Sequence, residues 1–283
     1  MAPTMLAAAP SLIPTPTPEA RLAARVWDKR RPMVIHQRWE SLLFLHWRCP
    51  ADVVQRSLPA GLYVDTYEGH AYVAVVPLFM RNIRPRGLPA VPWISHFLEL
   101  NVRTYVHDRE GVPGVWFYAL ECERPLTVWI ARNMFGLPYL HATMSASFTV
   151  MPSGGSAPTD APPEIAYAST RHELSPDALH GRDRPTSAYI YRGTGPERVA
   201  EPGSLEFFFV ERYYLHSLHK GNILRAQVAH TPYRYSEAVV EKYSTHPLVA
   251  CGLPEPAEPP CHQCFVRGVD VLTYAGESLY RAE

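Results

Sequence analysis

Residues 97–106 read Phe97-Leu-Glu-Leu-Asn-Val-Arg-Thr-Tyr-Val106, and apolar and polar side chains alternate along them from residue 98 onward. Successive side chains of a β-strand point to opposite faces, so the apolar side chains would share one face and the polar ones the other. The polar face carries Glu99 and Arg103. The contrast weakens at residues 104 and 105, where a bulge or a strand end would fit. The stretch predicts a strand with one apolar and one charged face.

Strand patterns recur around this stretch at hairpin spacing. Asp108-Arg-Glu-Gly111 turns the chain into a strand at residues 114–121, and Glu68-Gly69 joins two runs within residues 63–76. Further strands are predicted at residues 142–151, 164–170, 205–214, 223–229 and 268–274. Helices are predicted at residues 50–58 and 126–135, the second ending at Gly136 as a C-cap would. Since no crossover helices alternate with strands, we expect a mainly β (α+β) fold with an antiparallel sheet.

Proline content separates the N-terminus from the rest of the chain. Residues 1–18 carry prolines at 3, 10, 14, 16 and 18 and predict a flexible or polyproline leader. Residues 19–32 hold a short helix with an apolar face. Residues 151–163 and 254–260 are typical of loops, but composition does not change enough there to mark a boundary. We therefore expect one domain over residues 33–283.

Composition indicates a globular protein. Of the 283 residues, 47% are hydrophobic and 19% charged, and 27 basic residues balance 27 acidic ones, so no basic field favours a nucleic-acid partner. No segment reaches the ~18 uninterrupted apolar residues of a membrane span, and residues 5–10 make a poor signal peptide. Five irregularly spaced cysteines are not typical of a secreted disulfide scaffold. We predict a soluble, cytoplasmic protein without a membrane partner.

A second informative stretch follows the two central strands and reads Ala131-Arg-Asn-Met-Phe-Gly-Leu-Pro-Tyr-Leu-His141. With these strands it resembles the YqjF-like family of unknown function, a branch of the acetoacetate decarboxylase-like superfamily. The resemblance extends from about residue 39 to 274 through four more segments: Leu42-Leu-Phe-Leu-His-Trp47, Leu58-Pro-Ala-Gly-Leu-Tyr63, Leu205-Glu-Phe-Phe-Phe-Val-Glu-Arg-Tyr213 and Gly268-Val-Asp-Val271. It implies an antiparallel β-barrel that encloses a pocket, with a few short helices packed outside.

The resemblance also shows what this chain lacks. In the decarboxylases a similar Gly-aromatic-Pro turn precedes two lysines, the first of which forms a Schiff base with a keto acid. After Gly136-Leu-Pro138 this chain has Tyr139 and Leu140. The three lysines present, at positions 29, 220 and 242, lie in turn, loop or charged helical contexts. We expect no Schiff-base chemistry.

Glu99, Arg103 and Arg132 form the first group of candidate site residues. Glu99 and Arg103 share a strand face, which is either a solvated surface or the lining of an interior. In an interior, a carboxylate set against guanidinium groups would make an anion or acid-base site. The resemblance favours the interior for Glu99 and places an arginine at Arg132, where it could hold a substrate carboxylate bidentately.

Tyr139 and His141 form the second group, because two residues apart in an extended chain they would share a side. By the resemblance, Tyr139 stands where the decarboxylases have their Schiff-base lysine, and it could donate a hydrogen bond or act as a weak acid. The alternative is a core tyrosine with a satisfied hydroxyl, together with a structural histidine.

Glu211 and Arg212 form the third group, next to Glu206 in a stretch that predicts a strand buried on both faces. Either residue would then be a buried, paired charge that positions the strand. The sharper alternative is substrate binding, or a general base whose pKa is raised by burial.

Cofactor and metal motifs are not found. Cys261-His-Gln-Cys264 has the spacing of half a zinc site, but a second such pair is missing. Free, solvent-near thiols are the preferred interpretation. The sequence also has no glycine-rich nucleotide loop, serine-hydrolase elbow or zincin motif. We predict no cofactor and no metal.

Two functional hypotheses remain. The first is a small-molecule enzyme that acts on an oxo acid or similar anionic metabolite. Glu99 would be the acid-base catalyst and Tyr139 would polarise a carbonyl. Arg103 and Arg132 would bind the substrate carboxylate. The second is a non-catalytic ligand-binding barrel that keeps the pocket without the lysine. A purely structural, homo-oligomeric unit is a third idea.

Overall fold

The computed structural model describes residues 14–27, 30–149, 163–172 and 186–282. Most of the predicted leader, almost all of the predicted loop at residues 151–163 and Lys29 lie outside these ranges. No helix in the described ranges has the length and apolarity needed to cross a bilayer.

Five helices and thirteen strands are found in the described ranges. The helices are α1 (Pro18–Ala23), α2 (Ala51–Ser57), α3 (Pro125–Phe135), α4 (Leu205–Val210) and α5 (His246–Val249). The strands are β1 (Met33–Cys49), β2 (Tyr63–Val64), β3 (Ala71–Pro85), β4 (Phe97–His107), β5 (Pro113–Cys122), β6 (Tyr139–Thr149), β7 (Glu164–Arg171), β8 (Thr186–Val199), β9 (Tyr214–His219), β10 (Asn222–His230), β11 (Arg234–Lys242), β12 (His262–Tyr274) and β13 (Glu277–Arg281). The prediction of a mainly β fold is confirmed.

These strands form one sheet that returns on itself. Its order is β13-β10-β9-β5-β6-β7-β8-β11-β12-β1-β3-β4-β2, and β4 also pairs with β5. The path from β5 through β6 and onward to β4 therefore leads back to β5. Most pairings are antiparallel, but β5 pairs in parallel with β6 and with β9. The expectation of a purely antiparallel sheet is wrong, because α3 carries the chain back so that β6 runs in the same direction as β5.

The central strand β4 is buried along its whole length. Its two faces belong to different apolar cores: Phe97 and Tyr105 pack in one core, and Leu98 and Val102 pack in the other. Alternation places Glu99 and Arg103 on the side of the first core. The solvated surface considered for these two residues is excluded, because they are 4% and 8% exposed.

The predicted helix end at Gly136 is confirmed. Gly136 has φ of +61° and caps α3 in the left-handed conformation. A Cβ atom there would lie 2.6 Å from Cβ of His219 and 2.8 Å from the carbonyl oxygen of Leu218. Glycine thus lets the turn between α3 and β6 pack closely against β9.

The tight turn at Glu68-Gly69 is also confirmed, but the two runs that it joins pair with each other only at Tyr67 and His70, since β2 pairs with β4. Both residues have positive φ, +49° and +79°, and Tyr67 and His70 exchange two backbone hydrogen bonds of 3.0 Å. Paired positive φ values are typical of the tight turns whose twist matches that of flanking strands.

The strand predicted at residues 205–214 is wrong, because residues Leu205–Val210 form helix α4. Ser204 caps this helix, and its side chain accepts a hydrogen bond from the backbone N–H of Phe207 at 3.1 Å. Phenylalanine and valine favour strands, but this preference depends on context. Here the four residues 207–210 are all buried in the first core, where a single helical turn fills space between strands.

Candidate functional site

Glu99 and Tyr139 form a buried hydrogen-bonded pair. Strand β6 begins at Tyr139, and its parallel register with β5 sets Tyr139 opposite Leu120. The Tyr139 hydroxyl donates to Oε2 of Glu99 at 2.5 Å. Burial raises the pKa of Glu99 to about 7, although the Tyr139 hydrogen bond opposes the rise. Burial and the Glu99 charge raise the pKa of Tyr139 well above its usual range. Glu99 can therefore take up or release a proton near neutral pH.

Arg103 is a buried cation without a carboxylate partner among the described residues. Its Nη2 donates to the Tyr105 hydroxyl and to the carbonyl oxygen of Phe209, each at a long 3.3 Å. The guanidinium lies over the Phe44 ring at 5.1 Å, and its Nε is buried without a hydrogen bond. On the same strand face, Oδ1 of Asn101 is likewise buried and unpaired. The interior beside β4 therefore holds unsatisfied polar atoms.

Arg132 contacts the candidate pair through the backbone. Its Nε donates to the carbonyl oxygen of Tyr139 at 2.5 Å, so it fixes the turn that presents Tyr139 to Glu99. No hydrogen bond or ion pair of the described residues joins Arg103 to Glu99, and the causes of the raised Glu99 pKa include neither arginine. The convergence of all three residues on one ligand stays a prediction.

His141 contacts a different neighbour from Tyr139. Its ring stacks on His172 with centroids 4.5 Å apart, and Nε2 of His172 lies 2.7 Å from the Thr143 hydroxyl. Both histidines are half-buried. These contacts favour the structural role considered for His141.

Glu211 and Arg212 lie just after α4, and both have partners. Glu211 accepts hydrogen bonds from the Tyr213 hydroxyl, from the backbone N–H of Tyr233 and from Arg25. Arg212 pairs with Asp65 at 2.7 Å. Burial lowers the pKa of Arg212 to about 10. These ion pairs and hydrogen bonds favour the paired-charge interpretation over ligand binding, although Nη2 of Arg212 is buried without a hydrogen bond.

A row of hydrogen-bonded polar rings lies beside Arg103 and was not predicted from the sequence. Nε2 of His46 lies 2.6 Å from the Tyr105 hydroxyl, and Nδ1 of His46 lies 3.0 Å from Nδ1 of His262. His46 and Tyr105 are fully buried. The available signal was His46 within an otherwise apolar run, Leu42-Leu-Phe-Leu-His-Trp47, because a polar ring in a core requires partners.

The two cysteines of the Cys-x-x-Cys segment do not converge. Both are free, but Cys261 is exposed whereas Cys264 is buried. The preferred interpretation as solvent-near thiols is thus correct for Cys261 and wrong for Cys264, whose side chain packs in the first core. Among the residues that the structure describes, no three His, Cys, Asp or Glu side chains gather as a metal site would require.

Solved structures with a similar fold are found among enzymes. The enduracididine biosynthesis enzyme MppR with HEPES bound matches with a TM-score of 0.59 at 14% identity, over 88% of each chain. An acetoacetate decarboxylase-like enzyme from Sphingomonas wittichii RW1 matches with a TM-score of 0.58 at 13% identity, over 88% of this chain and 94% of that one. The fold is that of acetoacetate decarboxylase-like proteins.

The family follows from the sequence comparisons. The model of DUF2071, described as an uncharacterized conserved protein, matches residues 36–270, and the chain belongs to this family. The uncharacterized protein YqjF of Bacillus subtilis (strain 168) is 32% identical over 208 residues, which are 74% of this chain and 77% of that protein. The resemblance drawn from the sequence is confirmed.

Proposed function

We propose that this protein binds a small oxo acid inside a β-barrel formed by the returning sheet, and that Arg103 holds its carboxylate. The observation that carries the proposal is the buried guanidinium of Arg103 without a carboxylate partner among the described residues. A buried charge is costly unless it is paired. A ligand carboxylate would supply the missing acceptor, and guanidinium groups bind carboxylates in a planar, two-point geometry.

Glu99 would perform the chemistry on this ligand. With a pKa of about 7, its carboxylate can accept a proton from the carbon next to the ligand carbonyl. In that step the C–H bond breaks, its electron pair moves toward the carbonyl oxygen, and the proton passes to Glu99. The Tyr139 hydroxyl fixes the carboxylate through its hydrogen bond. No Schiff base is needed, in keeping with Tyr139 and Leu140 at the matching positions.

The comparisons support the ligand class. MppR, which shares the fold, was solved in complex with pyruvate. The likeness concerns the fold alone, so the assignment of an oxo acid to this chain depends on Arg103 and Glu99. We propose further that the protein is cytoplasmic and acts without a nucleic-acid or membrane partner.

Hydrogen–deuterium exchange of the pyruvate methyl group tests the catalytic role. If Glu99 removes a proton from the methyl group, the wild type in deuterium oxide should replace the methyl hydrogens with deuterium. The methyl signal in the proton NMR spectrum should then decay faster than in buffer alone. Glu99→Gln keeps an acceptor for Tyr139 but cannot take up the proton, so we expect exchange at least tenfold slower. Equal exchange by the wild type and Glu99→Gln would contradict the role of Glu99.

A non-catalytic binding protein is the second candidate function. The separation of Glu99 and Arg103 into different hydrogen-bonded groups favours it, because a general base must lie within hydrogen-bond reach of the proton that it removes from the bound ligand. Binding of pyruvate by the wild type without any methyl exchange would decide for this alternative.

A further inference from the structure

A line of three hydrogen-bonded rings connects a surface cavity with the buried arginine. His262 contacts His46, His46 contacts Tyr105, and the Tyr105 hydroxyl accepts from Arg103 at 3.3 Å. The His46 ring stacks on Phe209 with centroids 3.8 Å apart and planes 13° apart, which holds it in line. Sheet pairing keeps the ends in place, because β12 pairs with β1 so that His46 and His262 lie opposite each other.

The outer end of the line opens into a cavity of about 290 Å³. His262 and Cys264 both line the cavity, and Cys264 is at the same time part of the first core. The charged groups on the rim come from three other elements: Glu206 on α4, Arg198 on β8 and Glu237 on β11. Thus the cavity is open to solvent on one side and reaches the interior on the other.

Both histidines are held neutral. Burial lowers the pKa of His46 well below its usual range, and the proximity of His262 and Arg103 lowers it further. Burial lowers the pKa of His262 to about 4, with Glu206 opposing and Arg198 adding to the effect. A neutral imidazole has one N–H and one acceptor nitrogen. Both nitrogens of His46 have a hydrogen-bond partner. Its single N–H proton can therefore change from one nitrogen to the other only if the protons of His262 and Tyr105 move along the line in the same direction.

We propose that His262, His46 and Tyr105 form a proton relay between the cavity and the anion site at Arg103. In the inward arrangement, Nδ1–H of His262 donates to His46, Nε2–H of His46 donates to Tyr105, and the Tyr105 hydroxyl donates to the ligand oxygen. When Tyr105 gives its proton to the ligand, the proton of His46 moves to Tyr105 and that of His262 moves to His46. His262 then takes one proton from water at Nε2, so one proton enters and one is delivered.

The relay deepens the proposed function, since it makes Tyr105 the acid that protonates the ligand carbonyl while Glu99 removes a proton from carbon. Tyr105 is suited to this task because its hydroxyl touches Arg103, which would hold the same ligand. A static, structural set of rings would show the same distances, but its protons would reach water only when the protein opens.

Exchange of the His46 ring N–H with water tests the relay without any ligand. In NMR spectra of histidine-labelled protein, the relay predicts fast exchange for this fully buried group. His262→Phe and His262→Gln should each slow it at least tenfold, because neither side chain can take up one proton and hand on another. His216 provides an internal control, since it is buried and lies near Asp108, outside the line, and its exchange should not change. Unchanged or faster His46 exchange in both variants, with backbone amides still protected, would overturn the relay.

A second measurement connects the relay to the ligand. His46→Phe keeps a flat ring against Phe209 but breaks the line. We expect pyruvate affinity within threefold of the wild type and methyl exchange at least tenfold slower. If the wild type does not bind pyruvate, the proposed function is lost, while the ring N–H exchange still decides the relay. Methyl exchange at the wild-type rate in His46→Phe would contradict the relay.

Discussion

At the scale of single residues, the interior contains a carboxyl group with a raised pKa and a buried arginine side chain. Glu99 is buried against Tyr139, and Arg103 lacks a carboxylate partner among the described residues. Buried polar groups that are incompletely satisfied reduce stability, and they persist where a ligand or a reaction uses them. Both residues lie on one strand, so a few neighbouring positions of β4 define the proposed chemistry.

The raised pKa of Glu99 predicts a specific dependence of stability on pH. The folded protein binds the Glu99 proton more tightly than the unfolded chain, whose carboxyl has a usual value of 4.5 against about 7 when folded. The wild type should therefore lose about 3 kcal/mol relative to Glu99→Gln as pH rises from about 4.5 to about 7. Urea unfolding at several pH values measures this difference. Glu241→Gln at an exposed position is the control, and a difference that does not change with pH would contradict the raised pKa.

The absent lysine predicts the outcome of a trapping experiment. Incubation with acetoacetate and borohydride should leave no covalent lysine adduct, because Tyr139 and Leu140 occupy the positions of the paired lysines. Lys220 and Lys242 are both exposed, at the turn after β9 and at the end of β11, and neither is enclosed by the apolar interior. Intact mass spectrometry after reduction provides the measurement. An adduct on any lysine would show that a displaced Schiff base operates.

At the scale of elements, sequence patterns predicted those helices, strands and turns that depend on neighbouring residues. Three such features were predicted from the sequence, because each depends on neighbouring residues: the alternation along β4, the glycine at the end of α3 and the tight turn at residues 68 and 69. Helix α4 was not predicted. Its phenylalanines favour a strand, whereas Ser204 and the space available in the core favour a helix. Most contacts at the candidate site, such as His46 with His262, join residues far apart in the chain and have no local signature.

Gly136→Ala tests the turn that presents Tyr139. A Cβ atom there would meet backbone and side-chain atoms of β9 at under 3 Å, in addition to the cost of a positive φ. Gly195→Ala is a matched control, because Gly195 has φ of +71° with no atom within 4 Å. We expect a loss of about 1–2 kcal/mol in the control and clearly more in Gly136→Ala, measured by urea unfolding. Equal losses would mean that the close approach to β9 does not matter.

At the scale of the whole molecule, one buried charge cluster joins distant segments. Asp65 pairs with Arg21 of α1 and with Arg212 after α4, and it is fully buried. Burial alone would raise the pKa of Asp65, but Arg212 and Arg21 outweigh this and lower it. The cluster fastens the N-terminal helix to the core. The hairpin between β4 and β5 was predicted from its turn, but local patterns could not predict the pairings of strands far apart in the chain, such as β1 with β12, through which the sheet returns to β4.

Asp65→Asn should destabilise the whole fold. It leaves two guanidinium groups without their shared carboxylate, and removal of one partner from a buried pair costs about 3–5 kcal/mol. Asp52→Asn is the control, because Asp52 and Arg56 form an exposed pair on α2 whose loss should cost under about 0.5 kcal/mol. Urea unfolding compares the two variants, and similar small losses in both would show that the cluster does not hold α1.

Calorimetric titration of pyruvate into the wild type and Arg103→Met tests whether Arg103 holds the ligand carboxylate. We expect one binding site per chain in the wild type and at least a tenfold loss of affinity in Arg103→Met. Ligand-free Arg103→Met should be no less stable than the wild type, because methionine removes an unpaired buried charge. Arg234→Met, at an exposed position, should bind as the wild type does. Equal affinity of the wild type and a folded Arg103→Met would show that Arg103 does not hold the ligand.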